Sequence, residues 1–188
     1  ATGAPSRRVD LPRMRAGSLS AACLVAYVGQ GALDVTGHEA ASTRADAMLH
    51  VIRETGRIDG VQVCDTAAGV RAAHAAGDVA IIPAVENGYA IGEDLSLIAR
   101  FRALGARYMT LTHNGHNQLA DSARPMHHLD DPETLHGGLS GLGRDAVAEM
   151  NRVGMLVDVS HTSRDTMLQA VGLSRAPVFA SHSCVRAL

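Results

Sequence analysis

The sequence predicts an α/β protein built on a parallel sheet, and three observations carry that prediction. Apolar, strand-like runs alternate with helical stretches along the whole chain. The runs are apolar almost continuously rather than at every second residue, as in strands covered on both faces. Most helical stretches close on a glycine a few residues before the next strand begins. With 188 residues and 46% hydrophobic content, the chain can form one domain with a buried core and is too apolar for a disordered segment.

Taken in order, "SAACLVAYV" is the first strand, near 19–27, and "HEAASTRADAMLHVIRETG" the helix after it. "TAAGVRAAHAAG" is helical and leads through Gly77 to the strand "VAIIPAVE", near 79–85. "DLSLIARFRALG" puts Leu95, Ile98, Phe101 and Leu104 on one face, with Asp94 placed to cap its start and Gly105 its end. The strand near 107–112 follows and stops at His113. "GRDAVAEMNRVG" turns Val147, Met150 and Val153 inward, ends on Gly154, and leads to "MLVDVSH", a strand near 155–160. "SRDTMLQAVG" starts at Ser163, is expected to bury Met167, Leu168 and Val171, and stops at Gly172; a fifth strand is expected near 177–181. A barrel and an open doubly wound sheet both fit this pattern. The glycine-rich dinucleotide fingerprint follows none of the strands, and "GLSGLG" follows a loop.

Composition narrows the function classes. The formal charge is −2, with no basic block, which argues against nucleic acid as a partner. All 17 basic residues are arginine, so a Schiff-base lysine, a phosphate-loop lysine and a carbamylated-lysine metal bridge are excluded within this chain. Aromatic content of 3% offers no stacking platform for bases or sugars. Cys23, Cys64 and Cys184 are odd in number and widely spaced, which fits neither a disulfide framework nor a zinc knuckle. The longest apolar run is far below the ~20 residues of a spanning helix, and no signal-peptide pattern opens the chain. A soluble protein, cytoplasmic or exported, is the expectation, with the compartment open.

Four polar residues close apolar strands at their C-terminal ends: Glu86, His113, His161 and His182. In parallel α/β folds those ends share one rim, where active sites form. One carboxylate and several imidazoles suit a borderline metal such as zinc. Without lysine, Glu86 is the strand-end group able to bridge two ions. A single strand-end histidine is more often a hydrogen-bonded structural residue. A carboxylate after "IIPAV" is costly to desolvate without a partner, however, and four such residues on one rim point to chemistry. Asp158 and Ser160 are read as orienting His161 from behind. His116 and Asn117 are read as solvated loop residues, and His127, His128 and His136 as surface residues. Asp121 is read as a turn former or a partner of Arg124, and Cys184 as a small buried thiol rather than a ligand.

Three long stretches, "VENGYAIGEDLSLIARFRALGARYMTLTHNGHNQLADSA", "HGGLSGLGRDAVAEMNRVGMLVDVSH" and "APVFASHSCVRAL", closely resemble the membrane dipeptidase (renal dipeptidase) family of zinc peptidases; "DLPRMRAGSLSAACLVAYVGQG" is similar to its early segment. The resemblance covers essentially the whole chain. It implies a metal-dependent (β/α)8 TIM-type barrel and hydrolysis of dipeptides by a hydroxide held between two zinc ions. It implies Glu86 as the bridging carboxylate, His161 and His182 as ligands of one ion, and His113 as the residue that contacts substrate and steadies the tetrahedral intermediate. It also implies tolerance for D-residues at the second position and a tendency to form homodimers. Many members carry two glycines after the bridging glutamate, where this chain reads "ENG".

The family's His-x-Asp pair on the first strand, and its substrate-binding arginine and proton-handling aspartate beyond the "SHS" strand, have no counterpart here. A complete barrel takes about 250 residues. Residues 1–188 are therefore read as one partial metal-dependent hydrolase barrel domain, lacking the first strand and the last two, and weak or inactive in isolation. Two other readings stay open: another metal-dependent barrel hydrolase acting on a lactone, amide or phosphoester, and an inactive, metal-free barrel that binds a small molecule.

Overall fold

The structure is a computed structural model that describes residues 9–183. Its centre is a parallel sheet of five strands: β1 (Ala21–Tyr27), β2 (Val61–Val63), β3 (Val79–Glu86), β4 (Tyr108–Thr110) and β5 (Leu156–Asp158). β3 is the hub. It pairs with β1 along its length, from Ala21↔Ala80 to Tyr27↔Glu86, with β2 at its start and with β4 at Val85↔Met109. β4 then pairs with β5, Thr110 opposite Asp158. All these pairings are parallel, so the C-terminal ends of the strands lie on the same side.

Six α-helices accompany the strands: α1 (Leu11–Ala16), α2 (Val35–Glu54), α3 (Ala67–Ala75), α4 (Ser96–Ala103), α5 (Gly141–Val153) and α6 (Arg164–Leu173). Local chemistry sets their starts. Asp10, Asp34, Thr66, Ser140 and Ser163 each accept a backbone N–H three residues on, satisfying a donor that the first turn leaves unpaired. At α4 the Asp94 carboxylate accepts the Ser96 N–H. α5 ends on Gly154 in the left-handed region (φ 71°). Gly143, in the first turn of α5, is required for a different reason: a Cβ there would sit 2.0 Å from the Leu119 carbonyl oxygen. The helix thus docks directly on the backbone of the loop after β4.

One contiguous apolar cluster joins sheet and helices. Ile81, Val85, Met109 and Val157 from the strands meet Leu49, Ile98, Phe101, Val147 and Met150 from the helices. Ile98 and Phe101 are fully buried, and Leu95 and Leu104 pack beside them, as the spacing predicts.

Three expectations need correction. β2 is absent from the sequence reading, because three residues are too short to show a period and its pairing with β3 makes it a strand. Conversely, the run near 177–181 forms only an isolated bridge, Asp158↔Phe179, and no strand. Met167, Leu168 and Val171 are exposed, whereas Thr166 and Ala170 are the buried residues of α6. Within the described residues α6 is held by Ala170 in the core, by the Thr166 hydroxyl, which donates to the Asp121 carbonyl, and by the Ser163 cap. No helix of the described residues is long and apolar enough to cross a membrane.

Candidate metal centre

Glu86 is the last residue of β3, and His161 lies just past β5. His113 follows the end of β4 and His182 follows the Phe179 bridge. Parallel register brings these four to one place. Glu86 Oε1 lies 3.4 Å from His161 Nε2, 3.5 Å from His182 Nε2 and 3.8 Å from His113 Nε2. The His161 ring centroid is 4.2 Å from that of His113 and 4.7 Å from that of His182. Glu86, His161 and His182 are the group among the described residues whose ligand atoms all lie within 4.8 Å of one another.

The donor set fits a divalent ion. The two Nε2 atoms of His161 and His182 are 2.7 Å apart, a distance that requires a proton or a cation between two imidazole nitrogens. Burial holds the His113 and His161 imidazoles below the usual histidine range, and the neighbouring rings push in the same direction against the pull of Glu86. Neutral imidazole is the form that ligates a metal.

The backbone supports the cluster. His161 is in the left-handed region (φ 62°), a conformation that costs a non-glycine residue about 1–3 kcal/mol and concentrates at functional sites. Asn87, directly after Glu86, also has positive φ (85°). Its fully buried side chain makes that tolerable: Nδ2 donates to the Val28 carbonyl and Gln30 Oε1, while Oδ1 accepts from the Tyr89 amide and Asn117 Nδ2. The asparagine of "ENG" therefore ties the strand end to two neighbouring segments.

Behind the rings, Asp158 is fully buried. Burial disfavours its charge, but hydrogen bonds from Ser181, Ser160 and their amides outweigh that and hold the carboxyl below its ordinary value. Its hydrogen bonds, and those of Ser160, run to Thr110, Ser181 and the His182 amide rather than to the His161 ring. Tyr27, opposite Glu86 in the sheet register, places its hydroxyl 3.5 Å from His113 Nδ1.

The loop after β4 differs from the sequence reading. His116 and Asn117 are buried, not solvated. His116 Nδ1 accepts the Ser122 amide and Nε2 bonds the Pro132 carbonyl, both internal partners. Asp121 is buried and accepts the amides of Leu135, His136 and Gly138. His127 and His128 are exposed as expected, whereas His136 bonds the Asn117 carbonyl. Cys184 lies outside the described residues. Ser181 and Tyr27 were missed as site residues. The signal for Ser181 was the Ser-His dipeptide repeated at 160–161 and 181–182; for Tyr27 it was a polar aromatic closing the first strand.

A family model described as membrane dipeptidase (peptidase family M19) matches residues 2–188. A dipeptidase of Claviceps purpurea, tcpJ, is 33% identical over 96% of this chain and 42% of its own length. The crystal structure of the probable dipeptidase PvdM from Pseudomonas aeruginosa superposes with a TM-score of 0.90 at 31% identity, over 96% of this chain and 47% of that one. A metallopeptidase from Rhodobacter sphaeroides, solved with a phosphinate mimic of the dipeptide L-Ala-D-Ala, gives a TM-score of 0.82 at 28% identity over 97% of this chain and 58% of that one. The chain spans less than half the length of the curated relatives it matches.

Proposed function

Since the chain belongs to the membrane dipeptidase family, we propose that the full-length protein is a zinc-dependent dipeptidase and that residues 1–188 carry half of its catalytic rim. One observation carries the reading: a carboxylate oxygen at the end of β3 and the Nε2 atoms of His161, past β5, and His182, past the Phe179 bridge, converge within 4.8 Å. The parallel sheet and the likeness to PvdM support a (β/α)8 barrel as the complete fold, with this chain as part of one hydrolase domain.

In this reading Glu86, His161 and His182 would hold zinc. Bound zinc supplies Lewis acidity, polarising the scissile carbonyl and making water nucleophilic at neutral pH. Glu86 also supplies a negative charge among the three imidazoles. Asp158 and Ser160 keep the ends of β5 and of the 177–181 segment in register, which fixes the spacing of the two ligand rings. His113 stands beside the cluster, partly exposed, with Nε2 3.8 Å from Glu86 Oε1. From there it donates a hydrogen bond to the oxygen of the tetrahedral intermediate, where charge develops. The edge-on Tyr27 ring, with centroids 4.8 Å apart, restrains its orientation. The substrate is a dipeptide, consistent with the dipeptide mimic held by the related metallopeptidase.

The test is metal analysis of the purified full-length protein together with hydrolysis of a dipeptide, a lactone and a phosphoester. Zinc lost with Glu86→Ala, and turnover of the dipeptide above the other two, is expected. Wild-type protein that binds no zinc, or that prefers a lactone or phosphoester, overturns the reading.

A further inference from the structure

The hydroxyl of Ser181 sits between a buried carboxylate and a ligand ring, and its single proton can serve only one of them. Asp158 receives five donors. Oδ1 accepts the Ser160 amide at 3.0 Å, the Ser160 hydroxyl at 2.7 Å and the Ser181 amide at 3.0 Å. Oδ2 accepts the Thr110 hydroxyl at 2.8 Å and the Ser181 hydroxyl at 2.6 Å. A carboxylate so surrounded is an acceptor and nothing else. The Ser181 proton is therefore committed to Asp158, as is that of Ser160, and the 3.2 Å approach of the two hydroxyl oxygens carries no proton.

Ser181 Oγ also lies 2.9 Å from His182 Nδ1. With its proton already given away, the oxygen can only accept there. The imidazole must supply the hydrogen, so Nδ1 is protonated and the lone pair of the neutral ring is on Nε2. That is the nitrogen 3.5 Å from Glu86 Oε1 and 2.7 Å from His161 Nε2. The Ser160 hydroxyl completes the hold by accepting the His182 amide at 3.2 Å.

We propose that Ser181 is a positioning residue: it relays the polarity of Asp158 to His182, fixes the Nδ1–H tautomer, and so leaves the Nε2 lone pair facing the point between Glu86 and His161 where a cation would sit. The tautomer follows from hydrogen bonds alone; its use in holding a metal rests on the reading given above. Within the described residues half of the His182 side chain is open, and the Ser181 hydroxyl at Nδ1 is a restraint on its ring. The arrangement extends the pattern in which a ligand histidine donates its second N–H to a protein oxygen, here a hydroxyl interposed before the carboxylate.

The test uses the full-length protein, metal-free, at about pH 8.5, where an ordinary imidazole is neutral. Long-range 1H–15N correlation spectra, with His182 assigned through His182→Gln, report which ring nitrogen carries the proton. The wild type is expected to show Nδ1–H. Ser181→Ala is expected to move the ring toward Nε2–H and to weaken zinc binding about 10–100-fold in chelator competition. Ser181→Thr, which keeps the hydroxyl, is expected to restore both. A wild-type ring protonated on Nε2 overturns the proposal. So does a folded Ser181→Ala protein with unchanged tautomer and zinc affinity. If Ser181→Ala does not fold, the wild-type and threonine spectra decide. A wild type that shows Nδ1–H yet binds no zinc overturns the metal reading and leaves the tautomer assignment standing.

Discussion

His161 and His116 are the same residue type, each beyond the end of a strand, and they have opposite surroundings. His116 is buried in the loop after β4 with both ring nitrogens engaged by backbone, Nδ1 by the Ser122 amide and Nε2 by the Pro132 carbonyl. His161 turns its Nε2 toward Glu86 and toward another histidine. The same contrast separates Asp121 from Glu86. Asp121 is surrounded by three backbone amides, whereas Glu86 faces three imidazoles. Polar side chains held mostly by main chain, as His116 and Asp121 are beside their own 3.6 Å contact, are holding a loop. Side chains that face one another across a shared proton or cation are placed for chemistry.

That contrast predicts different losses in the two regions. The largest effect is expected at His161→Ala: dipeptide turnover by the full-length protein falls on the order of 10³-fold or more, several kcal/mol of transition-state stabilisation, while the melting temperature of metal-free protein changes little. Activity surviving that change would remove His161 from the metal centre. His113→Ala is expected to lower kcat about 10²–10³-fold, the cost of one oxyanion donor, with zinc content intact by metal analysis. His116→Ala should reverse the pattern, costing about 2–3 kcal/mol in urea denaturation through two orphaned backbone partners while zinc affinity stays within a small factor.

The pH dependence of stability sharpens the comparison at Asp121. Burial opposes its ionisation, yet the amides of Gly138, His136 and Leu135, with His116 nearby, hold the folded carboxyl below its ordinary value. A depressed folded value means the stabilisation is fully present above the unfolded aspartate pKa of about 3.9 and is lost as pH falls through the folded one. Urea titrations of metal-free protein between pH 6 and 3, taken as approximate limits, should show this loss, and Asp121→Asn should flatten it. An unchanged slope would mean that the amides do not favour the charged form. The smallest effect is expected at the exposed pair: His127→Ala and His128→Ala should each stay within about 0.5 kcal/mol of wild type and leave activity unaltered.

The sequence alone settled the order of elements around β1, β3, β4 and β5, because long apolar runs closed by glycine are local signals. It also singled out Glu86, His113 and His161, which parallel strand ends bring to one rim, and His182, which stands beside them past a single bridge, and the quoted motifs resemble one family throughout. Only the tertiary structure decided what depended on pairing across distance. β2 exists because β3 offers it an edge, while the 177–181 run makes a single bridge. On α6, Thr166 and Ala170 are the buried residues, and Met167, Leu168 and Val171 are exposed among the described residues. His116 and Asp121 became interior residues because a loop rich in turn formers folded back and supplied backbone partners. The repeated Ser-His dipeptide marks Ser181 in the sequence, but its role rests on tertiary contacts, for a hydroxyl's hydrogen-bond partners depend on which distant carboxylate claims its proton.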